Sequence, residues 1–282
     1  MSIIAFWSDN TSETAQTLSM VALTTYMSIE HNYRILDVTT NFSDSTLEDC
    51  FWNYKKEAEN VIIPKGIPGA RGTGMEEGIE GLMKVINSNK ITPNAINDYT
   101  RVVFKDKFDV LPAPKTKKYE DYEAITPAYP EILKAANEAY DMVFVDVSKR
   151  MPRADKEAIL ELADVVVVNI TQRLKLIENW KELKENNELF KDPKMMTLIG
   201  RYDKFSKFNK KNVTRFLKEK RTVSAVAYNT LFFESCAEGE VVDFFLKMRR
   251  IDKTDRNAVF IDEIRQFSDA VIYKTQEMKM KR

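Results

Sequence analysis

Histidine, cysteine and glycine are all scarce in this 282-residue chain, and each scarcity removes a class of chemistry. The single histidine, His31, lies in a polar Glu-His-Asn-Tyr turn. That rules against a His-based metal centre or a Ser-His-Asp triad, and the side chain reads as solvated. The two cysteines, Cys50 and Cys236, fit no metal or redox spacing and read as reduced structural thiols. Six of the eight glycines fall in residues 65–81 (66, 69, 72, 74, 78 and 81), which predicts a loop leading into a helix near 82–89. Gly72-Thr73-Gly74 there has no strand immediately before it, so it makes a poor phosphate loop. Neither sign of charge dominates: Lys plus Arg and Asp plus Glu both number 43, so any affinity for nucleic acid or anionic lipid has to be local. Long apolar runs are absent as well; none approaches ~18 residues, so no membrane span is expected. The first residues carry no basic leader, so no signal peptide is expected and a cytoplasmic protein is.

What is present suits a large core. Hydrophobic residues make up 44% of the chain and charged residues 30%. Ile3-Ile4-Ala5-Phe6 predicts a buried strand, residues 8–17 are polar apart from Ala15, and a helix is expected from Thr17 to about Ile29. Strand, tight polar loop and helix is the layout of a P-loop, in which backbone N–H groups and a helix N-terminus cradle phosphate. Yet this loop holds neither glycine nor lysine. The plainer alternative is a strand–helix turn whose Ser, Thr and Asn side chains cap the helix. Further strands are predicted at 35–39, 61–63, 102–104, 108–111, 142–145, 165–168, 196–199 and 223–226. Helices are expected at 46–52, 130–139, 155–163, 174–188, 209–220 and 239–249. Apolar runs without alternation, separated by helices, predict a doubly wound α/β fold. Its sheet is mostly parallel, of about seven or eight strands, with helices on both faces. Residues 1–250 read as this domain and 251–282 as a C-terminal helix packed on it, with Phe260, Ile264, Phe267 and Val271 at helical spacing.

In such a fold ligands bind outside the carboxyl ends of the strands, where the 8–17 loop, Thr39 to Asn41, Asp146, Thr171 and Tyr228-Asn229 fall. Tyr140-Asp141-Met142-Val143-Phe144-Val145-Asp146 resembles the Walker B strand of the MinD/ParA group of P-loop ATPases. Ala163-Asp164 with the four valines 165–168 resembles the strand that follows it, and residues 196–203 resemble the group's "vlNRyd" strand. Val223-Ser224-Ala225-Val226-Ala227-Tyr228-Asn229 resembles its "IPyn" strand, 232–245 the helix after it, and 78–112 the segment ending in "lLPg". The resemblance spans roughly residues 1–248.

This resemblance implies ATP or ADP with Mg²⁺. The nucleotide would lie against Asn10, Thr11, Ser12, Glu13, Thr14, Ala15, Gln16 and Thr17, with Tyr228 and Asn229 beside it, and Thr17 and Asp146 would hold the metal. The departures are as informative. Set against the group's KGGxGKT, Ala15-Gln16-Thr17 retains only the threonine, and the signature lysine is missing near Asn10 or Thr11. Gln16 cannot neutralise phosphate, and Glu13 adds a repulsion on the order of a few kcal/mol. Thr39 and Asn41 stand where a carboxylate positions the attacking water, and Gly200 replaces the adenine-contacting Asn. A degenerate site that binds no cofactor is therefore a second expectation.

The resemblance implies a homodimerising switch or scaffold that recruits a partner in DNA partition, pilus or conjugation, or division machinery. The alternative is an active partition-type ATPase in which a lysine such as Lys149 reaches the phosphates. Residues 201–221 carry nine Lys or Arg against two acids, interleaved with Tyr202, Phe205 and Phe208. Lys204, Lys207, Lys210, Lys211 and Arg215 would there contact DNA non-specifically; the alternative is a solvated helix face. The basic end Lys279-Met280-Lys281-Arg282 raises an amphipathic membrane helix, against which Asp262, Glu263 and Asp269 count.

Overall fold

Unbroken apolar runs such as Val165–Val168 can be buried on both faces only inside a sheet covered by helices on each side, and that is where they lie. The structure, a computed structural model, describes residues 1–9, 11–53, 78–87 and 92–281. The strand expected at 61–63, the glycine-rich stretch through residue 77 and the loop residue Asn10 lie outside the described residues. Eight strands form one sheet: β1 (Ile3–Trp7), β2 (Ile35–Thr39), β3 (Arg101–Phe104), β4 (Phe108–Leu111), β5 (Met142–Asp146), β6 (Val165–Ile170), β7 (Met195–Tyr202) and β8 (Ser224–Ala227). Their spatial order is β3-β4-β2-β5-β1-β6-β7-β8. Every neighbouring pair is parallel except the edge pair β3–β4. The doubly wound α/β sheet expected from the sequence is therefore the one observed.

The described helices are α1 (Thr11–Thr14), α2 (Gln16–Glu30), α3 (Thr46–Asp49), α4 (Ile79–Asn87), α5 (Pro93–Asn97), α6 (Tyr119–Ile125) and α7 (Tyr129–Ala139). They continue with α8 (Arg153–Leu162), α9 (Leu174–Asn186), α10 (Glu188–Lys191), α11 (Lys210–Phe216), α12 (Thr230–Glu238), α13 (Val241–Met248) and α14 (Ala258–Met280). Because successive strand residues point to opposite faces, β1 feeds two core layers. Ile3, Ala5 and Trp7 pack with Ile132, Leu133, Ile159 and Trp180 on one side. Ile4 and Phe6 pack with Met20, Leu23, Phe260 and Ile264 on the other.

Local chemistry explains where the helices differ from expectation. The expected 239–249 helix is preceded by a separate one, because Gly239 takes φ +74 between α12 and α13. A Cβ at Gly239 would sit 2.7 Å from the Asn53 backbone nitrogen. The helix expected over 209–220 ends at Phe216, and Lys218 adopts φ 55 just beyond it. His31 is half-buried rather than solvated, its Nε2 3.1 Å from Ser268 Oγ of α14.

Phe260, Ile264, Phe267 and Val271 are all buried, against β8 and α2 among other elements. The apolar stripe of α14 is thus spent within the core. No helix among the described residues is long and apolar enough to cross a membrane. Ile264 is fully buried, so Ile264→Ala should cost about 2–5 kcal/mol. Urea denaturation followed by circular dichroism and tyrosine fluorescence should give one shared transition; two separate transitions would detach α14 from the domain.

Candidate functional site

Parallel register brings three strand ends to one place. Asp146, the last residue of β5, pairs with Phe6 on β1 and with Thr39 on β2. The start of α2 lies over this point, because β1 leads into the short α1 turn and then into α2.

Asp146 is buried and its carboxylate is surrounded by donors. Gln16 Nε2 donates to Oδ1 at 2.6 Å, and Thr17 Oγ1 and Asn41 Nδ2 donate to Oδ2 at 2.6 and 2.8 Å. The same Gln16 amide reaches the carbonyls of Phe6 (3.0 Å) and Val147 (3.1 Å), which tie together the ends of β1 and β5. The Asp146 carbonyl accepts from the backbone N–H and the hydroxyl of Thr40 at 3.0 and 3.1 Å. Thr40 Oγ1 in turn accepts from the Ser148 N–H at 2.7 Å. Two buried tyrosines pin this corner, Tyr122 donating to the Thr40 carbonyl (2.7 Å) and Tyr129 to that of Thr39 (3.0 Å). Burial pushes the Asp146 carboxyl up to about 6, against the opposing pull of the Thr17, Gln16 and Asn41 donors. A second buried acid, Asp37 on β2, accepts from Thr24 Oγ1 at 2.7 Å, and burial raises its carboxyl well above the usual range.

Above the carboxylate, Ala15 takes the left-handed conformation (φ 50, ψ 43) between α1 and α2. The Thr14 carbonyl lies against β7 at Gly200, where a Cβ would sit 2.0 Å from that oxygen. Gly200 is thus a backbone contact for the turn. Glu13 is ion-paired with Arg173, which precedes α9, and this pair spans from the turn to the residues after β6.

A hydroxyl beside a carboxylate is the hard-oxygen pair that Mg²⁺ favours, and Thr17 with Asp146 supplies one. However, both carboxylate oxygens already accept hydrogen bonds from the protein. The arrangement therefore does not fit a cation unless Gln16 and Asn41 turn away. The charged side chains described in the turn, Asp9 and Glu13, are both acidic, and Glu13 is ion-paired with Arg173.

Of the remaining sequence-predicted residues, Asn229 accepts from the Phe232 N–H (2.8 Å) as the cap of α12 and donates to Asn257 Oδ1 (2.8 Å). Tyr228 is 60% exposed. Lys210 is committed to Glu263 of α14 at 2.6 Å, while Lys207 lies over the Phe208 ring and Lys204 over that of Phe205. Sequence reading missed Arg173 and the donor roles of Gln16, Asn41 and Thr40. Only the register of β2 against β5, and the left-handed turn at Ala15, bring the last three to Asp146, while Arg173 meets Glu13.

No family model matches the chain, and no curated protein matches its sequence. Solved structures do match its fold. A ParA family ATPase from Chlorobium tepidum is 14% identical at a TM-score of 0.63, over 89% of this chain and 93% of that one. The septum site-determining protein MinD of Pyrococcus horikoshii, complexed with Mg-ADP, is 12% identical at a TM-score of 0.63, over 97% and 98%. A putative plasmid partition protein of Borrelia burgdorferi bound to AMPPNP is 16% identical at a TM-score of 0.55, over 99% and 98%. The sheet order and strand directions are those of the P-loop NTPase-like α/β fold. Within it, the architecture is that of the MinD/ParA-type ATPases.

The raised carboxyl has a consequence for stability. A folded-state value near 6 against an ordinary 3.8 means the native state binds this proton more tightly, so stability falls as pH rises from about 4 to about 6 and levels off above. At about 1.4 kcal/mol per pH unit, the fall is on the order of 3 kcal/mol. Urea titrations across that range should show wild type losing this stability relative to Asp146→Asn; parallel pH profiles would contradict it.

Proposed function

We propose that this protein is a MinD/ParA-like switch or scaffold whose nucleotide site has become an internal network in which side chains hold the Asp146 carboxylate. It positions or recruits a partner in DNA partition, pilus or conjugation, or division machinery, and it turns over ATP slowly or not at all. The observation that carries this reading is the position of Gln16. Its amide nitrogen lies 2.6 Å from Asp146 Oδ1 and bridges the ends of β1 and β5, and an uncharged amide brings no positive charge to a phosphate. Catalysis of phosphoryl transfer is mostly positioning and charge neutralisation, and the turn's paired Glu13 works against both. The strand-end face also carries two exposed aromatic side chains, Phe205 (86% exposed) and Tyr228 (60%). These support homodimerisation or partner docking through that face in a cytoplasmic protein.

A second reading is favoured by the 2.6 Å contact between Thr17 and Asp146. In it the network opens, Gln16 and Asn41 release the carboxylate, and Mg·ATP or Mg·ADP binds at 10–17 with Tyr228 and Asn229 at the edge. Arg173, freed from Glu13, is then a second source of positive charge beside Lys149. Non-specific DNA binding through Lys204, Lys207, Lys211 and Arg215 belongs to this reading, and Lys210 would first have to leave Glu263.

One pair of measurements separates the two. In the first reading, steady-state assays show slow or no ATP turnover that DNA does not stimulate, and Mg·ATP gives no protection against thermal unfolding. In the second, Mg·ATP at 100-fold over its Kd stabilises by about 2.7 kcal/mol, and turnover disappears in Asp146→Ala. DNA binding by the patch should weaken steeply with added salt and be lost in the Lys204, Lys207 and Lys211 triple alanine variant; a salt-independent interaction would remove it.

A further inference from the structure

A cleft of about 390 Å³ opens at the amino ends of β7 and β8, the opposite edge of the sheet from Asp146. One wall is apolar, formed by Phe190, Pro193, Met195 and Val223. The other is the C-terminal half of α14 together with residues 218–222, from the segment that joins α11 to β8. Seven cationic side chains line the cleft against three carboxylates.

Pairing within the cleft leaves specific cations uncommitted. Glu219 is engaged by Lys184 (2.7 Å) and by Thr197 Oγ1 (3.0 Å). Glu277 is shared between Lys281 (2.7 Å) and Lys274 (3.2 Å), and those two ammonium groups hold its carboxyl down to about 2. That consumes two of the three acids. Arg221 is placed differently: its guanidinium lies 3.8 Å from the centre of the Tyr273 ring and has no hydrogen-bond or ion-pair partner among the described residues. The contact with the ring face uses none of the guanidinium N–H donors, and a guanidinium with free donors favours bidentate capture of an oxyanion. Lys220, adjacent to it, also lines the cleft and has no carboxylate partner among the described residues.

We propose that this cleft binds a small organic phosphate. Arg221 and Lys220 receive the phosphate group, and the apolar body lies on Met195, Pro193 and Val223. Two observations select this class. The surplus of positive charge suits a dianion rather than a neutral or cationic ligand, and the apolar wall with a volume in the range of small-molecule sites suits an attached ring or chain. The inference does not depend on whether Asp146 meets a nucleotide, since the two places lie at opposite ends of the strands.

Phenyl phosphate is the minimal probe, and amide chemical shifts in the full chain are the readout. It should perturb residues 217–224 and 270–281 in a saturable way, with inorganic phosphate and phenol each binding at least about tenfold more weakly. Arg221→Ala should weaken phenyl phosphate by at least roughly tenfold, as loss of a charge-assisted pair implies, while Asp146→Ala leaves its affinity unchanged. Lys220→Ala provides the second variant if Arg221→Ala unfolds, and should weaken binding in the same direction. No saturable shifts at these residues would overturn the proposal. So would equal binding of inorganic phosphate, or shifts confined to the Thr17–Asp146 end.

Discussion

Asp146 is a carboxylate buried at the end of a central strand, where desolvation costs several kcal/mol unless donors surround it. Its donors arrive from separate elements: Gln16 and Thr17 from the first turn of α2, and Asn41 from the segment after β2. Much else follows from satisfying that one group. The α2 helix must begin over the end of β5, so the chain between β1 and α2 must turn sharply, and Ala15 takes a left-handed conformation to make the turn. The turn then lies so close to β7 that only glycine is accommodated at position 200. Thr39 and Thr40 are held by the hydroxyls of two buried tyrosines, so the corner that presents Asn41 is anchored from below.

A network of this kind is costly to break in part. Removing Gln16 or Asn41 alone leaves a buried charge short of a donor. The raised carboxyl of Asp146 marks burial prevailing over hydrogen bonding, and Asp37 one layer deeper repeats the pattern. Asp146 closes β5 and Asp37 lies two residues before the end of β2, where burial holds the Asp37 carboxyl toward its neutral form. The described strand ends thus present a polar side-chain network around Asp146.

The basic stretch 201–221 is divided by the fold. Its first part lies near the carboxyl ends of the strands, beside the exposed Phe205. Lys210 is drawn into an ion pair with α14, and the last part, with Lys220 and Arg221, lines the cleft at the amino ends of β7 and β8. Nine cations that look like a single patch along the chain therefore serve at least three environments, because α11 runs between the two edges of the sheet.

Fold class was legible in the residues themselves. The valine run of β6, the apolar strand ending in Asp146 and the polar break after Phe6 each depend on local pattern, and burial on both faces of a parallel sheet leaves little other use for them. The candidate site was legible only in part: Thr17 and Asp146 could be named because motif spacing carries them, and they do meet at 2.6 Å. That Gln16 would turn inward to hold Asp146, that Asn41 would join it across a strand boundary, and that Arg173 would pair with Glu13 were not accessible from spacing. Those contacts span between 105 and 160 residues of sequence. Local pattern determined the sheet and its helices; only the register of distant strands decided which donors a buried carboxylate would find.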